Sequence, residues 1–100
     1  MEEKIKPVRP GKILLEQFLK PLGISQTKLA VLIGVPPRRI NEIVHGKRRI
    51  SADTALRFGL YFGTAPQFWL GLQTDCDLDI AQYKLGGRLK YQIREYADRI

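Results

Sequence analysis

The chain has 100 residues, 44% hydrophobic and 27% charged, a globular balance that excludes a fully disordered polymer and fits one domain with a modest core. Lys and Arg number 17 against 10 Asp and Glu, a formal charge of +7, which favours a polyanionic partner such as DNA, RNA or an anionic membrane surface. The lone Cys76 excludes an internal disulfide and a thiolate zinc site, and no apolar run approaches the roughly 20 residues that span a bilayer.

Residues 1–9 carry mixed charge and Pro7, and read as a lead-in; Glu2, Glu3, Lys4 and Lys6 interrupt any apolar leader, so the expected compartment is the cytoplasm. From Pro10-Gly11 onward, Leu15, Phe18, Leu19 and Leu22 repeat at helical spacing. Pro21 is expected to end or distort that helix, and Gly23 to stop it. Ser25 suits the N-cap of a second helix with Leu29, Ala30 and Ile33 on its inner face, broken by Gly34. Pro36-Pro37 opens a third helix, because a proline in the first turn needs no amide partner. Ile40, Ile43 and Val44 form its apolar stripe, and Gly46 ends it.

The segment HGKRRI, residues 45–50, is a basic loop. Ser51 caps a fourth helix with Ala55, Leu56, Gly59, Leu60 and Phe62 as buried candidates, stopped by Gly63. Thr64 is the expected cap of a fifth, with Pro66 in its first turn and Phe68, Trp69, Leu72 and Cys76 facing inward. These helices fill residues 10–79, leaving 80–100 as a C-terminal extension interrupted by Gly86-Gly87. There, Leu89, Tyr91 and Ile93 alternate as in a strand, whereas Leu85, Leu89, Ile93 and Tyr96 fit a helical stripe. The reading leans to helix.

The functional signal lies in residues 26–46, QTKLAVLIGVPPRRINEIVHG. Two helices that cross steeply need a small residue where their backbones approach, and Ala30 supplies it. The turn between them favours positive φ, and Gly34 tolerates it. Val35, Ile40 and Ile43 then pin the second helix to the core. The free face carries Pro37, Arg38, Asn41 and Glu42, the expected base-reading residues. Arg38 suits a bidentate pair with guanine and Asn41 one with adenine, while Glu42 suits a cytosine amine or the task of orienting Arg38. Gln26, Thr27 and Lys28 at the start of the preceding helix, with Arg39, His45, Lys47, Arg48 and Arg49, are the expected phosphate contacts.

Residues 10–79 resemble the HigA/VapI antitoxins, a branch of the lambda-repressor-like helix-turn-helix proteins. The stretches that carry the resemblance are RPGKILLEQFLKPLGISQTKLA, IGVPPRRINEIVHGKRRISADTALR and FGTAPQFWLGLQ. The resemblance implies an all-α, five-helix DNA-binding domain with a short C-terminal extension. It also implies a homodimer on an inverted-repeat operator in double-stranded DNA, repression of its own operon, and an endoribonuclease toxin of the HigB type as protein partner. The expected dimer surface is the fifth helix and the tail. A stand-alone transcriptional regulator without a toxin is the alternative.

Other chemistries fit less well. His45 is the only histidine, a poor basis for a metal site or a catalytic base, so neither metal, cofactor nor enzyme activity is expected. Asp75, Asp77 and Asp79 match the start of a calcium loop, but Ile80 and Gly86 stand where Gly and Glu are needed. An RNA-binding adaptor would need stacking aromatics on the basic face, and residues 36–49 hold none.

Overall fold

A computed structural model describes residues 7–96. The first helix, α1 (residues 10–22), is a composite of α-helical Pro10–Ile13, a π-helical segment Leu14–Leu19 and α-helical Lys20–Leu22. It is followed by α2 (Gln26–Ile33), α3 (Pro37–Val44), α4 (Ala52–Phe62) and α5 (Pro66–Gln92). The expected all-α, five-helix architecture is the one adopted among the described residues.

The caps follow local chemistry. The Ser25 hydroxyl accepts from the Lys28 amide at 3.0 Å and opens α2. Ser51 does the same for α4 through the Thr54 amide, at 3.3 Å. Pro37 occupies the first turn of α3, where its missing N–H leaves nothing unsatisfied. Thr64 departs from expectation: Ala65 is the N-cap of α5, with no side-chain cap, and Thr64 Oγ1 accepts from Trp69 Nε1 at 2.9 Å. A buried indole requires an acceptor, and that demand takes the hydroxyl.

The π segment changes the inward face of α1. Leu14 and Leu19, five residues apart, are both sealed in the core, while Leu22 is exposed. Bonding from i to i+5 widens the turn, so residues five apart share a face and a wheel drawn at 3.6 residues misplaces the end of the helix. On α4 the buried residues are Thr54, Ala55, Phe58 and Gly59. Leu56 and Leu60, expected inside, are exposed, and Phe62 is half-buried. The expected set mixed two neighbouring stripes, and Phe58 decides between them by packing edge-on against Trp69, with ring centroids 4.9 Å apart. Phe18 joins the same cluster, 5.0 Å from Trp69 and 4.7 Å from Phe62. Phe68, expected inward, is partly exposed, whereas Cys76 is buried. Burial pushes the Cys76 thiol pKa above its ordinary value.

Helix α5 runs for 27 residues, straight through Gly86-Gly87, and the chain turns extended at Ile93. At about 1.5 Å per residue this helix is roughly 40 Å long. The helical reading of residues 80–100 therefore holds as far as Gln92, and Ile93 and Tyr96 lie beyond it. Residues 97–100 lie outside the described residues.

Candidate nucleic-acid interface

The unit α2–turn–α3 is built on a locked turn. Gly34 sits at φ 73°, ψ 38°, a left-handed conformation that a side chain makes costly. The Val35 amide donates to the Ala30 carbonyl at 3.0 Å, and Arg57 Nη1 reaches across from α4 to the Ile33 carbonyl at 2.8 Å. The carbonyls at the end of α2 are thus satisfied from two sides. Ala30, Ile40 and Ile43 have essentially no exposed surface, so the seam between the two helices is dry. Behind α3, α1 approaches at backbone contact. A Cβ on Gly11 would lie 1.9 Å from the Ile43 carbonyl oxygen.

Pinning one face of α3 leaves the other in solvent. Pro37, Arg38 and Asn41 are exposed and Glu42 is half-buried. Asn41 Nδ2 lies 3.3 Å from Gln26 Oε1, which draws the start of α2 and the middle of α3 into one polar surface. Glu42 is held from both sides: Arg38 Nε donates to Oε2 at 2.9 Å and Arg48 Nε to Oε1 at 2.8 Å. The hydrogen bonds from Arg38 and Arg48, in that order, hold its pKa below the ordinary range. His45 Nδ1 donates to the Asn41 carbonyl at 2.8 Å. Thr27, Lys28 and Lys47 are exposed.

All three arginines expected on phosphate are engaged within the chain, Arg48 through Glu42 as above. Arg39 Nη1 meets Asp53 Oδ2 at 2.6 Å, and Arg57 Nε meets the same oxygen at 3.0 Å. Asp53 is held below its ordinary pKa by Arg57 first and Arg39 second. This cluster fastens α3 to α4. Arg49 pairs with Asp77, whose Oδ1 accepts from Gln73 Nε2 at 3.0 Å. Gln73 Oε1 in turn accepts from the Ile50 amide at 2.9 Å, which fastens the end of the basic loop to α5.

Asp53, Arg57, Gln73 and Asp77 were not singled out for this face by sequence reasoning. The Asp53–Arg57 spacing of four was a legible signal. The contacts of Gln73 with Ile50 and of Asp77 with Arg49, 23 and 28 residues apart, carried none.

A buried two-helix seam, a glycine turn and a solvent-facing polar second helix beside a basic loop define a DNA-binding helix-turn-helix module. The family model described as Helix-turn-helix matches residues 15–69, more than half the chain. The chain belongs to this helix-turn-helix family, on the branch of the HigA and VapI antitoxins. Virulence-associated protein I of Dichelobacter nodosus is 48% identical over 81 residues, spanning 81% of this chain and 75% of that protein. Among solved structures, the Pseudomonas aeruginosa antitoxin HigA with the higBA promoter is 39% identical at a TM-score of 0.86, covering 89% of this chain and 97% of that one. Antitoxin GraA in complex with its operator is 35% identical at a TM-score of 0.87, covering 97% and 98%. Among the described residues, no helix is long and apolar enough to cross a membrane.

Proposed function

We propose that the protein is the DNA-binding antitoxin of a type II toxin–antitoxin system. It binds an inverted-repeat operator as a homodimer, represses its own operon and neutralises a HigB-type endoribonuclease toxin. The observation that carries the reading is the face of α3, on which Arg38 and Asn41 stand clear of a core that seals Ile40 and Ile43 behind them. Pro37, Arg38, Asn41 and Glu42 read base edges; Gln26, Thr27, Lys28, His45, Lys47 and Arg48 engage phosphates. Arg39 and Arg49 contribute chiefly by fastening α3 and the basic loop.

The solved relatives carrying promoter or operator DNA support this assignment. Beyond Cys76, α5 exposes Leu78, Tyr83, Leu85 and Leu89, an apolar arm that supports dimerisation through this helix. Two recognition helices about 34 Å apart then enter successive major grooves. The protein acts by binding in the cytoplasm and catalyses no reaction.

The test is a gel shift of the purified protein on its own upstream DNA, with random duplex as competitor. Retention of a discrete complex under excess competitor is expected. Equal competition by random DNA overturns sequence-specific repression. Inhibition of RNA cleavage by the product of the adjacent reading frame tests the antitoxin role, and an adjacent frame without such a ribonuclease leaves a stand-alone regulator.

A further inference from the structure

At the C-terminal end of the recognition helix lies a cleft of about 140 Å³, lined by the start of α1, the basic loop and α5. Arg9, Lys47, Arg48 and Arg49 line it, against the single carboxylate of Asp77. Arg49 is paired with Asp77 and Arg48 with Glu42, whereas among the described residues neither Arg9 nor Lys47 has an ion-pair partner. A cleft in which four cations face one carboxylate carries a net positive field that attracts an approaching anion.

Arg9 lies outside every motif of the helix-turn-helix unit, yet its place is set by backbone contact. Gly11 docks α1 on the Ile43 carbonyl so closely that no side chain fits. Two residues earlier, Arg9 lies across Gly46, at the end of the recognition helix. A Cβ on Gly46 would meet Arg9 Cδ at 3.3 Å and Nη1 at 3.5 Å. The guanidinium thus lies beside the basic loop, in the space that glycine at position 46 leaves open, although 37 residues lie between Arg9 and Lys47 in the chain.

We propose that Arg9 and Lys47 form a seat for one backbone phosphate of duplex DNA, flanking the groove that α3 reads. This inference rests on the DNA-binding reading and adds to it a residue outside the two-helix unit. The expected role is affinity and register, without base preference.

The experiment measures binding to operator and to random duplex across a salt series, for the wild type, Arg9→Gln, Arg9→Lys and Lys20→Gln. Each lost phosphate contact lowers the slope of log K against log salt by about 0.9. Arg9→Gln is expected to lose about that much on both duplexes, Arg9→Lys to retain most of it, and Lys20→Gln, at the far end of α1, to change nothing. A second measurement replaces single operator phosphates with uncharged methylphosphonates. One position is expected to weaken the wild type and leave Arg9→Gln no weaker than before. An unchanged slope, or the same loss at every methylphosphonate position in both proteins, overturns this seat while leaving DNA binding intact. A wild type that binds neither duplex overturns the functional reading and this inference together.

Discussion

Arg38 and Glu42 stand one turn apart on the recognition helix, joined by a hydrogen bond of 2.9 Å from Nε to Oε2. Arg38 is therefore linked, through the other oxygen of Glu42, to Arg48 in the basic loop. Part of the Arg38 fork stays free, because the side chain remains 84% exposed. The solvent-facing side of α3 and the basic loop are thus coupled through one carboxylate.

That coupling has a pH dependence whose sign follows from the two arginines. The folded-state pKa of Glu42 lies below its ordinary value of 4.5. The ion pairs therefore add stability that is fully present above that ordinary value and is lost as pH falls through the depressed folded one. Arg48→Ala is expected to move the Glu42 titration, followed by NMR of its side-chain carboxyl, upward towards 4.5. An unmoved titration midpoint would show that Arg48 does not hold the carboxylate in solution.

Removing the guanidinium of Arg38 should act on specificity. Arg38→Ala is expected to cost about 1–3 kcal/mol at one base pair of each half-site and little on random DNA. Binding to a panel of single-base operator variants checks this. Equal losses on operator and random DNA would remove Arg38 from base reading and make it a phosphate contact.

Gly11 is a steric requirement of the interface between α1 and α3. A methyl group there would press on the Ile43 carbonyl and on Val44 Cα, 1.9 and 2.8 Å away, and neither backbone group can swing aside. Gly11→Ala is expected to destabilise the fold by about 1–3 kcal/mol or more, lowering the melting midpoint by roughly 4–8 °C per kcal/mol. A thermal melt decides it. A midpoint equal to the wild type's would mean that α1 lies further from α3 than backbone contact.

Gly86 and Gly87 show the opposite case. Nothing lies within 4 Å of a Cβ built on either, and both sit within α5. Alanine at each should strengthen the helix by about 0.8–1 kcal/mol through backbone entropy alone. Slower amide exchange across residues 80–92 in the double variant is the expected result. Unchanged exchange would show that the arm's order is set by its partner rather than by its own helix propensity.

Much of this protein was legible in one dimension. Helix starts at Ser25, Pro37 and Ser51 follow from side chains and prolines within a turn of the boundary, so local chemistry specified them. The seam of Ala30, Gly34, Ile40 and Ile43 was legible for the same reason, since its pattern spans only 14 residues. Thr64 was misjudged because its hydroxyl answers to the Trp69 indole across the turn, and Leu22 because the π segment rotates the wheel. The extension past residue 80 could not be settled by pattern, because a short run satisfies both helical and strand spacing.

The chain by itself determined which residues face the core of α2 and α3 and which remain to meet a ligand, because burial of one stripe forces exposure of the other. Tertiary structure alone decided how the cations are divided. Arg39 is drawn to Asp53 and Arg49 to Asp77, while Arg9 is carried by α1 to the end of the recognition helix. Charge acts through space and falls with distance, so the partner of each arginine was undefined until the helices packed.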